Sequence, residues 1–223
     1  PCRIGLEADI KIGAGKNGSL QAAEMTYWLD CGAYTDISPY MAKAIAVDCT
    51  GPYHIENLNC DSLCVYTNHT YSTSYRSFAH ESYTFCVERM MDMLARKCKL
   101  DPLELRIKNA IRPGNATPTQ VECTDSLMGN LTACLNKVKV LSKWEGGKAA
   151  PIKQDTVQAQ GVACFWKTEN PPTDAISGAL ITFNPDGSVN LNTGVVEMGS
   201  GGQTNIAQIL AEKLQINPNQ VHV

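Results

Sequence analysis

Two short segments hold the residue types that could do chemistry in this chain. Residues 74–81 place an arginine, an aromatic ring, a histidine and a glutamate close together, where they could orient a bound ring or carboxylate. Residues 194–203 are glycine-rich and precede a predicted helix, so they could present free backbone N–H groups to an anion. Each segment also has a purely structural interpretation, as a packed helix start and as a glycine turn.

The patterns of several common enzyme classes are absent from the sequence. It contains no P-loop, no dinucleotide-binding glycine fingerprint and no nucleophile elbow. A nucleophilic triad would have to draw on four histidines, none of which lies in such a motif. We therefore do not expect hydrolase chemistry.

Composition indicates a globular protein of one large or two small domains. The chain has 223 residues, 43% of them hydrophobic and 18% charged, with a formal net charge of -3. This charge gives no reason to expect a nucleic-acid partner, and no apolar run is long enough to span a membrane. The ten cysteines are far apart and form no CxxC pair, which favours reduced, structural thiols and a cytoplasmic location.

Periodicity and turn signals predict an α+β fold with mixed sheets and packed helices. Two β-hairpins are predicted, one from residues 6–13 and 20–29 and one around the Asn-Pro-Asp-Gly turn at residues 184–187. Residues 53–66 are predicted to enter a strand, and residues 161–166 to form another. Helices are predicted at 42–47, 81–99, 101–110, 127–141 and 204–214.

Motifs spread over nearly the whole chain resemble one known family. The longest of them runs from Asp101 to Ala110 and is followed by an Arg-Pro-Gly turn. The others, in chain order, are residues 8–13, 18–22, 32–34, 51–53, 66–68, 197–199 and 211–212. In this order they resemble the molybdenum-cofactor-binding large subunit of the xanthine dehydrogenase and aldehyde oxidase family.

The resemblance implies a molybdenum-cofactor-dependent hydroxylase that oxidises a C–H carbon of an aldehyde or N-heterocycle with oxygen from water. A pterin dithiolene would hold the metal, and electrons would pass to iron–sulfur clusters and often FAD on other domains or subunits. Residues 1–145 would form the end of the first molybdopterin-binding half, 146–158 a linker, and 159–223 the start of the second half. Partners would be the small-molecule substrate and the iron–sulfur and flavin parts, without nucleic acid or membrane.

Matching the family's motifs residue by residue implies the site residues. The substrate-binding residues would be Arg76 and Phe78, the second of which matches an aromatic ring that packs on a ring substrate. The cofactor-binding residues would be Ser77, Ala79, Met198, Gly199, Ser200 and Gly201. No catalytic residue and no protein ligand to the metal are implied, because the general-base glutamate is expected beyond Val223.

Three departures from the family pattern leave a second interpretation open. The first motif usually reads Arg-Gly-Phe-Gly and the second Glu-Met-Gly-Gln-Gly, whereas this chain has Ser77, Ala79 and Ser200 at the variable positions. These substitutions favour a non-catalytic binding or scaffold domain descended from the family. The position of the arginine found in purine-oxidising members is Ala44, which argues against xanthine as substrate. We expect the isolated chain to bind no molybdenum and to be inactive, since the family's upstream cofactor loops would precede Pro1.

Overall fold

A computed structural model of the chain describes residues 2–125, 128–168 and 176–223 and shows two compact units, Pro1–Thr168 and Glu169–Val223. The helices are α1 (Ser38–Asp48), α2 (His80–Cys98), α3 (Pro102–Asn109), α4 (Leu131–Leu141) and α5 (Gly202–Leu214). The strands are β1 (Cys2–Arg3), β2 (Gly5–Ala14), β3 (Leu20–Gly32), β4 (Asn57–Tyr66), β5 (Ser72–Thr73), β6 (Ala150–Lys153), β7 (Thr156–Gln158), β8 (Ala179–Phe183), β9 (Val189–Thr193) and β10 (Val221–His222). The predicted mixture of helices and mixed sheets is confirmed.

The first unit is built on a three-stranded sheet in the order β2-β3-β4. Strand β3 runs antiparallel to β2 and parallel to β4, so the sheet is mixed and the first predicted hairpin is confirmed. Alternate residues of β3, Met25, Tyr27 and Leu29, are fully buried, as expected for a strand with one face on the core. The hairpin turn needs Gly18, because a Cβ there would lie 2.4 Å from Leu100 Cδ1.

The long helix α2 covers the core through one face. Tyr83, Val87, Met91 and Ala95 recur every four residues and are all buried, which confirms the predicted amphipathic pattern. Helix α3 begins as predicted at the Asp-Pro pair, where the Asp101 carboxylate accepts hydrogen bonds from the backbone N–H groups of Leu103 and Glu104. None of the helices in the described ranges is long and apolar enough to cross a membrane.

A buried ion pair joins helix α3 to helix α2. The Arg106 side chain is fully buried, and its guanidinium donates to Glu88 Oε2 at 2.8 Å and to Asp92 Oδ1 at 2.9 Å. It also donates to the Pro102 carbonyl at 3.0 Å, and the Tyr53 hydroxyl donates to the second Glu88 oxygen at 2.5 Å. The arginine of the 101–110 motif therefore fixes the packing of two helices.

The last residue of the same helix fastens it to the sheet. The Asn109 amide donates to the carbonyls of Gly18 and Leu105, both at 2.9 Å. Its oxygen accepts the backbone N–H of Leu20, also at 2.9 Å. The asparagine thus satisfies backbone groups at the β2–β3 turn that would otherwise be buried without partners.

The second unit is a small sheet with one helix. Strands β8 and β9 form the predicted antiparallel hairpin, and β10 joins β9 in parallel. Its apolar centre consists of Leu191, Ala211 and Val221, contributed by β9, α5 and β10. The predicted helix starts at Gly202, two residues earlier than the sequence pattern indicated.

Two predicted elements differ from the structure. Residues 161–166 form no strand, although all of them are described, because this extended segment packs through the buried Cys164 without a neighbouring strand to pair with. The predicted helix at 127–141 begins at Leu131, since the Asn130 side chain caps it by accepting the Ala133 amide at 2.8 Å. Residue Leu127 lies outside the described residues.

The division of the chain also differs in detail from the expected one. The segment predicted as a linker, 146–158, contains the short antiparallel pair β6–β7. The first compact unit continues to Thr168 rather than ending before residue 159. The assignment of the two ends to two molybdopterin-binding halves stays a prediction.

Candidate functional site

The first loop, residues 76–79, has an unusual backbone. Arg76, Ser77, Phe78 and Ala79 have φ angles of 51°, 51°, 59° and 65°, and none of them is glycine. The left-handed region costs a residue with a Cβ about 1–2 kcal/mol. Ser77 and Ala79 stand where the family pattern quoted above has glycine. The backbone therefore has the positive φ angles that glycine favours, at positions occupied by residues that disfavour them.

The side chains of the first loop differ in exposure. Arg76 and Ser77 are exposed, Phe78 is half-buried against the core, and Ala79 is buried. The Ser77 hydroxyl donates to a carboxylate oxygen of Glu81, which holds the start of α2. Arg76 is exposed and forms no ion pair with any described residue, so its guanidinium is available to a ligand.

His80, the first residue of α2, contacts the loop and a carboxylate at once. Its Nδ1 lies 2.8 Å from the Ser77 carbonyl oxygen and 3.2 Å from that of Phe78, while its Nε2 lies 2.9 Å from Asp48 Oδ2. The side chains of His80 and Asp48 are each only 2% exposed. A carbonyl oxygen can only accept, so Nδ1 carries a proton and donates to the loop.

Asp48, the last residue of α1, completes this cluster. Thr168 donates to it through its backbone N–H at 3.0 Å and through its hydroxyl. Burial raises the pKa of Asp48, but the hydrogen bonds from His80 and Thr168 outweigh burial and hold that pKa below its ordinary value. The carboxylate is therefore ionised at neutral pH, and it accepts the backbone N–H of Thr168 while Nε2 of His80 lies within hydrogen-bond distance of it.

Sequence reasoning identified His80 as a member of a cluster that could orient a bound ring or carboxylate, or else as part of a packed helix start. Its partners Asp48 and Thr168 were missed, because they lie far away along the chain and no local pattern links them. The prediction that Phe78 packs at this helix start is consistent with its half-buried position.

The second loop, residues 194–202, folds around its own carboxylate. Glu197 Oε1 accepts the backbone N–H groups of Gly199 at 2.5 Å and Gly201 at 3.0 Å. Hydrogen bonds from Gly201 and Gly199 lower the pKa of Glu197, so it is an anion at the N-terminus of α5. Two of the amides that could bind an external anion are thus already bound, and this role of Glu197 was missed.

Part of the second loop remains open to a ligand. Met198 is 57% exposed, and Ser200 is exposed as well. The backbone amide and hydroxyl of Ser200 make no hydrogen bond within the part of the chain that the structure describes. Gly199 and Gly201 have φ angles of 98° and 72°, and a Cβ on Gly201 would have nothing within 4 Å. Glycine is needed there for the backbone conformation and not for lack of space.

The structure brings the predicted site residues together in two groups. Arg76, Ser77, Phe78 and Ala79 are consecutive in the first unit, and Met198, Gly199, Ser200 and Gly201 are consecutive in the second. That both groups serve one site stays a prediction, as do their individual roles.

Comparison with known protein families gives two matches, one after the other along the chain. Residues 1–110 match one model of the molybdopterin cofactor-binding domain, and residues 137–223 match a second model with the same description. Together the two matches leave out only residues 111–136 of the chain.

Individual relatives agree with these matches. The chain is 30% identical over 219 residues to the xanthine dehydrogenase molybdenum-binding subunit of Escherichia coli O157:H7, covering 96% of this chain and 29% of that protein. It is 30% identical over 203 residues to an aldehyde oxidoreductase of Megalodesulfovibrio gigas, covering 87% of this chain and 21% of that protein. The chain therefore spans less than a third of the length of these relatives.

A solved structure shares the fold. The aldehyde oxidoreductase from Desulfovibrio gigas superposes with a TM-score of 0.75 at 25% sequence identity. The superposition covers 99% of this chain and 24% of that one. Both compact units thus have counterparts in a single solved polypeptide.

Proposed function

Because the chain belongs to the molybdopterin-binding family of the xanthine dehydrogenases and aldehyde oxidases, we propose that its two loops form part of the cofactor and substrate site of a molybdenum hydroxylase. The observation that carries this proposal is the backbone of the first loop. Ser77 and Ala79, which replace the family's two glycines, both have the positive φ angles that glycine favours. The second loop supports it with two further glycines in the left-handed region.

The residues present fit a pterin cofactor. The amide and hydroxyl of Ser200 are polar groups without partners in the described residues, and they lie in an exposed loop that Glu197 fixes from within. The neighbouring Met198 side chain is exposed and could pack against a flat ring. When bound, the cofactor supplies the redox centre that accepts two electrons from the substrate carbon.

The residues of this chain would bind the substrate and the cofactor and orient them. Arg76 would hold a polar or anionic group of the substrate, and Phe78 would pack on its ring. Ser77 and Ala79 would bring the backbone of the first loop close to the cofactor, while Met198, Gly199, Ser200 and Gly201 would contact the pterin. We assign no general base to this chain.

The rest of the reaction would depend on other parts of the enzyme. The substrate would be an aldehyde or an N-heterocycle, oxidised with oxygen from water. Electrons would pass to iron–sulfur clusters and a flavin on other domains or subunits. The enzyme would work in the cytoplasm, where the chain's ten free cysteines stay reduced, and residues 1–223 alone would be inactive.

A non-catalytic scaffold domain is the alternative, favoured by Ser77, Ala79 and Ser200. Such a domain would have no need to keep four consecutive residues in the left-handed region, because each could relax to a more stable conformation. The retained backbone of the first loop therefore supports the hydroxylase over the scaffold.

We test the cofactor role with two glycine substitutions in the full-length protein that carries this chain. In Gly201→Val, a branched side chain would enter the open space beside the second loop and strain its backbone. We expect the pterin content, measured as the fluorescent oxidised pterin per protein, to fall by about tenfold or more, which corresponds to about 1.4 kcal/mol of binding.

The matched control is Gly187→Val in the β8–β9 turn. Gly187 also has a positive φ, 83°, and a Cβ there has only Gln220 Nε2 as a neighbour, at 4.0 Å. Its backbone strain is similar, but it lies outside both loops, so the pterin content should stay within about a factor of two. Equal pterin contents in the two variants would contradict a cofactor role for the second loop.

A further inference from the structure

We propose that His80 is the positioning residue of the first loop: with its Nε2 against Asp48, it holds the carbonyls of Ser77 and Phe78 through Nδ1 and so keeps residues 76–79 in their left-handed backbone. The consequence for substrate orientation rests on the proposed function, since it concerns Arg76 and Phe78. The hold on the loop itself follows from the geometry alone.

The loop needs such a hold because its conformation is unfavourable by itself. Four consecutive residues with a Cβ have positive φ angles, and a conformation of this kind persists only where its surroundings over-determine it. The backbone N–H of His80 also donates to the Ser77 carbonyl, so this residue binds the loop through both its main chain and its ring. No other described side chain donates to the carbonyls of Ser77 and Phe78.

The ring can hold the loop because its own orientation is fixed from the opposite side. Its Nε2 lies 2.9 Å from Asp48 Oδ2, and Asp48 is in turn bound by the backbone and hydroxyl of Thr168. The edge of the ring meets Tyr83 at a centroid distance of 5.5 Å and Phe165 at 6.4 Å. A turn of the imidazole would break hydrogen bonds at both nitrogens, so the loop is tied through His80 to the end of α1.

This arrangement gives His80 a role that a merely buried histidine would not have. The directions of the Ser77 and Phe78 carbonyls fix the two peptide planes on either side of Phe78. These planes in turn determine the directions in which the side chains of Phe78 and Arg76 leave the loop. We therefore expect the contact of His80 Nδ1 with the loop carbonyls, and not the contact of Nε2 with Asp48 alone, to control how the loop binds a ring substrate.

Two substitutions separate the two bonds of the ring. In His80→Asn, the side-chain amide can occupy the place of Nδ1 and still donate to the loop, but it does not reach Asp48. In His80→Gln, the amide can occupy the place of Nε2 and reach Asp48, but it loses the loop. Both variants are also made with Asp48→Asn, so that a version without a buried unpaired charge is available if a single variant does not fold.

The first readout is trypsin cleavage of the full-length protein after Arg76, relative to cleavage after the exposed Lys143. We expect His80→Gln to raise this ratio about tenfold and His80→Asn to leave it within about a factor of two, because only local opening of the loop exposes the bond. Adding Ser77→Gly and Ala79→Gly to His80→Gln should return the ratio to that of the wild type, since glycine adopts the loop conformation without strain. Equal ratios in the Asn and Gln variants, or no rise in either, would overturn the proposal.

The second readout separates this proposal from the proposed function. The holoenzyme is assayed with benzaldehyde and with acetaldehyde, which differ in the ring that Phe78 would contact. We expect His80→Gln to raise KM for benzaldehyde about tenfold with little change in KM for acetaldehyde. In His80→Asn, which keeps the hydrogen bond to the loop, KM for benzaldehyde should stay close to the wild-type value. If the trypsin results are as expected but KM changes equally for both aldehydes, His80 still holds the loop and the loop's role in substrate binding is refuted.

Discussion

Replacing Arg106 by alanine is expected to lower the free energy of unfolding by about 3–5 kcal/mol, the usual cost of breaking a buried ion pair from one side. The substitution leaves the Glu88 carboxylate buried with the Tyr53 hydroxyl as its remaining partner among the described residues, and it removes the side-chain hydrogen bond to the Pro102 carbonyl. It also removes the main polar connection between α2 and α3. Urea or thermal denaturation of the purified protein would measure the loss.

Two variants control for charge and for the removal of an arginine. Arg106→Lys keeps the positive charge but cannot form the same fork to Glu88 and Asp92, so we expect an intermediate loss. Arg112→Ala removes an exposed arginine whose side chain, among the described residues, donates to the Ile107 carbonyl alone, and it should cost about 1 kcal/mol or less. A loss below about 1 kcal/mol for Arg106→Ala would show that the buried pair does not stabilise the fold.

The second large effect is expected at Asp48. Asp48→Ala leaves Nε2 of the buried His80 without its partner and frees the two donors of Thr168, so we expect a loss of about 3 kcal/mol at neutral pH, since each buried polar group left unsatisfied costs about 1–3 kcal/mol. The matched control is Asp30→Ala, which breaks a second Asp–His pair of 2.5 Å whose side chains are 36% and 48% exposed, against 2% for Asp48 and His80. Solvent screens that pair, so its loss should be much smaller, and equal losses would contradict the special role of burial.

The Asp48 effect should also depend on pH in one direction. The folded-state pKa of Asp48 lies below its ordinary value of 3.8, so its stabilisation is complete above that value and is lost as the pH falls through the lower, folded pKa. Denaturation of the wild type and of Asp48→Ala at neutral pH and near pH 3 should therefore show a difference that shrinks in acid. A difference that grows in acid would contradict the assignment of an ionised carboxylate.

Elements with local signals were predictable from the sequence. The apolar spacing of α2, the Asp-Pro start of α3 and the Asn-Pro-Asp-Gly turn each depend on residues within a few positions of one another. The strand predicted at 161–166 failed because its apolar residues satisfy a strand pattern, whereas a strand also needs a partner that the local sequence does not specify. Residues 161–166 instead pack against the hydrophobic core of the first unit, to which they belong, through Cys164.

The chemistry of the site was predictable only in part. The family motifs indicated the two loops. The positive φ angles of residues 76–79 could not be predicted, because none of these residues is glycine. The partners of His80 come from the ends of distant segments. Glu197 was the exception, because an acidic residue just before a helix N-terminus is a local signal that could have identified the internal cap.

The most direct test of the account is the molybdenum and pterin content of two purified proteins, the full-length protein and residues 1–223 alone, produced in cells that make the cofactor. We expect about one molybdenum and one pterin per full-length protein and neither in the isolated chain, because this chain spans less than a third of its relatives and would supply only part of the pocket. A full-length protein that carries neither molybdenum nor pterin would contradict the assignment of the two loops to a cofactor site. Stoichiometric cofactor in residues 1–223 alone would contradict the shared pocket.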